Sequence, residues 1–345
     1  MDIRNRRALK EMARDRLAAA NYDPRKLALI HTAVSVAAAL VIAVLGYVLD
    51  HWIAGTASGL SGMGNRRILE AVQMTLQYVQ FLATPFWEMG FVFVALNLLR
   101  QEQTQPKNML EGFRRFGPVL RLRLLQGFLY LGAAIGCMYV ASFLFVLTPA
   151  SQKVVDTMLP LMGGDMSVEH AQQVLSAMPT EELVAMSVPF LVIFGILFLL
   201  VALVLYYRFW MADFLVMDQP NTGALAAMFI SGRLTRKKRW ALLKLDLSFW
   251  WFYLLMLLAA VVCYMDVLLP WLGISLPMTG DVAWMVFYVL SLLVQLVVFW
   301  RYKAYVQTTR AAAYEILREE LPELLTPQPQ PQPKPKFPWD NYESK

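Results

Sequence analysis

The stretch from Met186 to Tyr207 reads MSVPFLVIFGILFLLVALVLYY and contains no charged side chain. As a helix it would rise about 33 Å, which matches the ~30 Å hydrocarbon core of a bilayer. Lipid offers no hydrogen-bond partner to backbone amides, so only a helix or a closed barrel can cross it. The stretch therefore predicts a membrane-spanning helix.

Five more apolar runs have a comparable length. The predicted spans cover residues 28–49, 77–99, 124–147, 186–207, 247–269 and 282–300. The composition agrees, because 58% of the 345 residues are hydrophobic and 16% are charged, against roughly 25% charged in soluble chains. The sequence predicts an all-α polytopic membrane protein, a bundle of six transmembrane helices with amphipathic interfacial helices.

The placement of Lys and Arg predicts the orientation. Of the 31 basic residues, 28 lie in the N-terminal segment, in the loops after the second and fourth spans, or after the sixth span; Arg66, Arg67 and Lys153 are the others. Short cytoplasmic loops retain such residues. We expect a multi-pass protein of the cell membrane with both termini in the cytoplasm. The basic residues lie between apolar runs, so no nucleic-acid partner is expected.

Residues 1–26 are predicted to form a basic amphipathic cytoplasmic helix. Leu9, Met12, Ala13 and Leu17 recur at helical spacing, and basic residues occupy the remaining surface. This pattern favours a helix lying on anionic inner-leaflet lipids, with a solvated basic helix as the alternative. Residues 27–306 would then form the transmembrane domain, and 307–321 a charged cytoplasmic helix.

The remaining segment, 322–345, is rich in proline and predicts a disordered cytoplasmic tail. From Pro327 proline alternates with glutamine, a pattern typical of extended polyproline conformation. The tail would either bind a protein that recognises proline-rich peptides or act as a solvated spacer. Nothing in the sequence sets an oligomeric state.

Glu88 is the most informative candidate residue. An ionisable group inside a span costs roughly 2.5 kcal/mol or more, and Pro85 lies three residues earlier. A proline removes a backbone donor, so the pair predicts a broken second helix. Such a break could line a cavity that binds an ion or substrate. The alternative is structural pairing of Glu88 with a polar group on another helix.

Other polar residues near the predicted span ends have structural interpretations. Asp246 and Ser248 stand at the cytoplasmic entry of span five, where Asp246 is expected to form an ion pair or cap a helix, with a ligand role as the alternative. Asp213 and Asp218 follow span four and are expected to cap a helix or pair with a basic run. That run would also contact anionic lipid; it consists of Arg236, Lys237, Lys238 and Arg239.

Two further features concern anchoring and packing. Arg301, at the inner end of span six, predicts a side chain that extends to the lipid headgroups. Gly132 and Gly136 stand four residues apart in span three, a spacing that favours close packing against another span or a second copy.

No pattern predicts catalytic residues, a metal site or a cofactor. His31, His51 and His170 are scattered along the chain, and Cys137 and Cys263 are isolated within apolar runs. Neither arrangement is typical of a metal cluster or a hydrolase triad. Phosphate-binding loops and zinc-protease motifs do not occur in the sequence.

Several stretches carry a resemblance to a known family. They are TPFWEMG at 84–90, MLEGF at 109–113, MADFLVMDQP at 211–220, SGRL at 231–234 and LDLSF at 245–249. With them, the chain from its N-terminal helix to about Leu317 resembles the bacterial DUF975 family of integral membrane proteins, common in Firmicutes. The resemblance implies the fold and a membrane location. It implies no catalytic residues, because the family's function is uncharacterised.

Three functional classes therefore stay open. The first is a non-enzymatic helper or partner-binding scaffold of the cell envelope. The second is a small-molecule or lipid transporter that uses the broken second helix around Pro85 and Glu88. The third is a membrane-embedded lipid-processing enzyme, whose polar residues would come from different helices.

Overall fold

A computed structural model describes residues 3–56, 60–161, 180–219, 221–274 and 280–320. His170 and the proline-rich tail lie outside these ranges, as does the side chain of His51. The helices are α1 (Arg6–Ala18), α2 (Pro24–Thr56), α3 (Leu60–Arg100), α4 (Glu111–Arg114), α5 (Phe116–Val146), α6 (Pro149–Leu161), α7 (Thr180–Phe209), α8 (Ala212–Asp218), α9 (Ala224–Leu234), α10 (Arg239–Leu247), α11 (Trp250–Cys263), α12 (Met265–Trp271) and α13 (Gly280–Glu320), with a 3-10 helix at Pro106–Leu110.

The predicted all-helical membrane fold is confirmed. Five helical stretches are long and apolar enough to cross a membrane, or six if the bent pair α10 and α11 counts as one span. Within the described ranges every regular element is a helix. The helices that could cross a membrane overlap the predicted spans and several extend beyond them; two differences concern α3 and the fifth span.

The bundle has two zones that differ in packing. Along α5 and α7 large apolar side chains such as Phe128 and Leu199 are about two-thirds exposed, at 68% and 66%. The other zone is a packed core. It contains the C-terminal part of α3, most of α8 to α10, and the C-terminal half of α13. Exposed apolar surface on this scale fits a lipid environment.

The helix α3 passes through both zones without a break. Pro85 lies inside the continuous helix Leu60–Arg100, so the expected break in the second span is wrong. Pro85 has no amide proton to donate to the Phe81 carbonyl, and membrane helices tolerate such a gap without a break. Most residues from 86 to 99 are buried by protein, whereas most from 71 to 84 are exposed.

The fifth span is broken, although the sequence predicts one helix over 247–269. α10 ends at Leu247, α11 begins at Trp250, and the two axes differ by 64°. Tight turns at Ser248 and Phe249 make the bend, since the Phe249 amide donates to the Asp246 carbonyl at 2.9 Å. Hydropathy reports only that these residues are apolar and carries no information about such a bend.

The last span and the charged segment after it form one helix, α13. Its C-terminal half carries the buried series Ala311, Ala312, Ala313 and Tyr314, all fully enclosed. Small side chains allow neighbouring helices to approach closely. α13 packs along α2 and α11, and it also contacts α1 and α3. It is therefore the central helix of the packed core.

The N-terminal helix α1 packs on the protein through the face that the sequence assigned to lipid. Leu9 and Ala13 are completely buried in the core, so the expectation of an apolar face in the leaflet is wrong. Lys10 donates to the Ser248 carbonyl at 2.9 Å and lies 4.1 Å from the centre of the Phe249 ring. Burial, with Arg14 and then Arg6 nearby, lowers the pKa of Lys10.

Candidate functional site

Glu88 has a basic partner on another helix. The Lys303 ammonium group donates to both carboxylate oxygens of Glu88, at 2.9 and 3.0 Å. It also lies 3.0 Å from Nδ1 of His31. We call His31, Glu88 and Lys303 the Glu88 cluster; it joins α2, α3 and α13. The Lys303 side chain is 5% exposed and that of Glu88 is 41% exposed.

The surroundings of His31 define its protonation. An ammonium group can only donate, so Nδ1 of His31 accepts from Lys303 and the ring proton lies on Nε2. Nε2 then donates to the Trp87 carbonyl at 3.2 Å, and the Trp87 indole donates to the His31 carbonyl at 3.0 Å. The two rings stack with centroids 5.0 Å apart. His31 is therefore a neutral member of the cluster, held by bonds at both ring nitrogens. Sequence analysis did not assign His31 to a site, because it is isolated from the other histidines in the chain.

Asp246 forms a second cluster with residues from three other helices. Nε and Nη2 of Arg310 both donate to its Oδ1 at 3.1 Å, and the Tyr207 hydroxyl donates to Oδ2 at 3.1 Å. Arg310 also donates to the Tyr253 hydroxyl at 2.6 Å. Ser248, two residues after Asp246, caps the end of α10 and accepts the bond from Lys10.

Asp218 lies at the centre of a third cluster. It pairs with Arg100 at 2.7 Å and with Arg318 at 3.1 Å, and the Tyr314 hydroxyl donates to it at 2.8 Å. Glu315 accepts a further bond from Arg100 at 2.7 Å. The cluster ties α3, α8 and α13 together.

The expected pairing of Asp213 and Asp218 with the basic run at 236–239 is wrong. Asp213 pairs with Arg123 on α5 at 3.1 Å. The basic run follows α9 and extends toward the end of α13, where Lys238 pairs with Glu320 at 3.1 Å. The α8 helix instead faces α3 and α5, because its apolar residues Phe214 to Met217 are drawn into the core.

Two residues of the basic run lie on the surface. Arg236 and Lys237 are exposed, and Lys237 has a positive φ of 70° at the turn between α9 and α10. Contact of this run with anionic lipid stays a prediction. Arg301 is also exposed; its guanidinium carbon lies 5.8 Å from the Tyr302 ring centroid.

Gly90 and Gly112 make the close helix contacts, whereas Gly132 and Gly136, which the four-residue spacing predicted, do not. A Cβ added at Gly132 or Gly136 would meet no atom within 4 Å, so neither makes a close contact with another described span. A Cβ on Gly112 would lie 2.8 Å from the Gly90 amide nitrogen, and one on Gly90 would lie 2.6 Å from the Met109 carbonyl carbon. Gly90 and Gly112 both belong to stretches that carry the family resemblance. That resemblance was the signal in the sequence that could have identified them as contact residues.

These clusters have one chemical property in common. Each of the four candidate acids, Glu88, Asp213, Asp218 and Asp246, is bound by a basic residue from another helix. Removing one member of a buried pair leaves an uncompensated charge, so such pairs hold helices in one arrangement. Among the residues described, no group of three or more His, Cys, Asp and Glu could hold a metal ion.

Comparison with known proteins gives one result. No curated protein and no solved structure shows significant similarity to the chain. The family model described as "Protein of unknown function (DUF975)" matches residues 1–320. That range includes all three clusters and every helix of the structure, so the chain belongs to the DUF975 family.

Proposed function

We propose that this chain is a non-enzymatic membrane protein that acts as a helper or partner-binding scaffold. It would reside in the cell membrane with both termini in the cytoplasm, where the packed core forms a rigid platform. The supporting observation is that the candidate acids are engaged in ion pairs between helices. A catalytic acid or base must be within reach of a substrate proton, whereas each of these acids is already bound by a lysine or arginine of another helix.

The Glu88 cluster offers a direct test of this proposal. We would delete the gene, record lipid composition and drug sensitivity, and complement the strain with variants. The double variant Glu88→Gln with Lys303→Met removes both charges together. A scaffold keeps its function in this variant, because replacing a buried pair by neutral groups is often tolerated. Complementation equal to wild type is the expected result.

Two further strains make the outcome specific. Lys303→Met alone leaves Glu88 charged without its partner, so a lower protein level is expected in the membrane. Asp213→Asn serves as a matched control, because its pair with Arg123 is partly exposed on both sides. A double variant that is present at the normal level but fails to complement would refute a purely structural role.

One observation favours transport as the second candidate. The Glu88 side chain is 41% exposed although it lies in a helix that could cross a membrane. A carboxylate in such a position could exchange a proton or bind a cation during transport. The failure of Glu88→Gln/Lys303→Met to complement, at normal protein level, would support this candidate.

A further inference from the structure

A cavity of about 590 Å³ lies where the end of α1, the start of α2 and the middle of α13 meet. Its volume is in the range of small-molecule sites. Three arginines line it, Arg14, Arg25 and Arg301, against a single acid, Asp23. One Asp23 oxygen accepts a bond from the Arg25 amide at 2.9 Å. The side chains that line the cavity therefore carry a net charge of +2.

The arginines of this cavity differ from those of the packed core. Arg100, Arg310 and Arg318 each pair with a carboxylate. Among the described residues, no carboxylate lies within ion-pair distance of the three cavity guanidinium groups. A guanidinium presents a planar fork of donors that matches phosphate oxygens. The cavity therefore suits an anion with several acceptor oxygens.

Tyr305 holds one of the cavity arginines in place. The Arg14 guanidinium lies beside the buried Tyr305 hydroxyl and 5.4 Å from the ring centroid. A guanidinium has five N–H donors, so one contact with a hydroxyl leaves donors for a ligand. Tyr305 also lines the cavity, so these donors belong to the cavity wall.

An apolar groove continues from this cavity. It has a volume of about 490 Å³ and shares Arg301 and Tyr302 with the cavity. Its other lining residues are all aliphatic: Leu255, Leu293, Val294, Val297 and Val298. From Arg301 to Leu293 the groove follows α13 for about 12 Å. It leads toward the part of α13 that is apolar enough to lie in a membrane.

We propose that the cavity and groove together bind one anionic phospholipid. The phosphate would lie among Arg14, Arg25 and Arg301, and an acyl chain would lie along Val294 and Val297. Arg301 and Tyr302 would contact the boundary between headgroup and chain. The joined arrangement of a cationic cavity and an aliphatic groove distinguishes this ligand from a soluble anion. The site does not depend on the function proposed above.

The test uses the full-length protein purified in detergent. Native mass spectrometry would measure the retention of phosphatidylglycerol relative to phosphatidylcholine with the same acyl chains. In the variant Arg14→Gln/Arg25→Gln/Arg301→Gln, we expect the preference for phosphatidylglycerol to fall at least tenfold. The control Arg7→Gln/Lys107→Gln/Arg121→Gln removes the same charge from exposed positions outside the cavity and the basic run, and it should change the preference less than twofold. An equal loss in both variants would mean non-specific attraction and would overturn the proposal.

A second variant distinguishes lipid from free phosphate. Val297→Trp fills the groove and leaves the arginines in place, so we expect phosphatidylglycerol retention to fall at least fivefold. Soluble glycerol phosphate should bind wild type far more weakly than the lipid does. Binding of glycerol phosphate as tight as the lipid, together with unchanged lipid retention in Val297→Trp, would overturn the lipid assignment. If the arginine variant is not monodisperse, the Val297→Trp result decides alone.

Discussion

At the residue scale, the chain places its charged groups in pairs that connect distant parts of the sequence. Asp246 and Arg310 are 64 positions apart, and Glu88 and Lys303 are 215 positions apart. Each pair satisfies an acid that would be costly to bury alone. Charged residues near the spans therefore connect helices that are far apart in the sequence.

The Asp246 pair is expected to be a major contributor to stability. The two side chains are 6% and 13% exposed, and breaking a buried pair typically costs about 3–5 kcal/mol. We expect Asp246→Asn to lower the melting temperature in detergent by several degrees, whereas Asp213→Asn lowers it less because its pair is more exposed. Thermal unfolding of both variants gives the comparison. Equal shifts would contradict this ranking of the pairs.

Gly112 is expected to tolerate no side chain. A Cβ there would lie 2.9 Å from the Phe86 carbonyl carbon and closer to its oxygen, so α3 and α4 would have to separate. We predict that Gly112→Ala destabilises the protein by about 1–3 kcal/mol.

Gly132→Ala is the matched control for that substitution. It lies in the helix α5 with no neighbour within 4 Å, so alanine should be neutral or stabilise by up to about 1 kcal/mol. Detergent unfolding midpoints of the two variants measure the difference. A Gly112→Ala protein as stable as wild type would contradict the close approach of α3 and α4.

At the scale of elements, two long helices connect the lipid-exposed zone with the packed core. α3 and α13 each have 41 residues, which is about 62 Å and roughly twice the thickness of a bilayer core. In α3 most residues from 71 to 84 are exposed and most from 86 to 99 are buried, whereas in α13 the buried residues concentrate from 303 to 317. Pro85 therefore lies at the boundary between the exposed and the buried part of α3.

The docking of α1 is a testable property of an element. Leu9 is fully buried between α1 and the core, so Leu9→Glu should release the helix. We expect limited trypsin digestion to cut at Arg14 and Arg16 at least tenfold faster in this variant. Arg7→Glu, at an exposed position, should leave the cutting rate near that of wild type. Equal rates in the two variants would show that α1 does not pack through Leu9.

At the scale of the whole molecule, the exposed zone contains two groups of helices. α5 packs along α7, and α13 packs along α2 and α11. The packed core joins the groups, since α5 contacts α9 and α7 contacts α10 there. Lipid rather than protein would cover much of the surface of both groups. The core therefore sets the relative position of the predicted spans.

The orientation proposed for the whole chain leads to a labelling experiment. Cysteines introduced at Asp156 and Lys237 are expected on opposite sides of the membrane, because basic residues concentrate on the cytoplasmic side. In intact cells a membrane-impermeant maleimide should label Asp156→Cys and leave Lys237→Cys unlabelled until the membrane is opened. The native cysteines, Cys137 and Cys263, would be replaced by alanine first. Labelling of both sites in intact cells would contradict the topology.

The amino-acid pattern alone predicted the fold class, the number of candidate spans to within one, and the need of Glu88 for a partner. These follow from local properties, because an apolar run of bilayer length must be helical and an acid within it needs a partner. Four features came from the three-dimensional structure alone: the partner of Glu88, the packing of α1 on protein, the close contact at Gly90 and Gly112 instead of Gly132 and Gly136, and the bend of the fifth span at Ser248. Each of these features depends either on residues far apart in the chain or on a single turn. Hydropathy is averaged over about one helix length, so it detects neither long-range contacts nor a single turn.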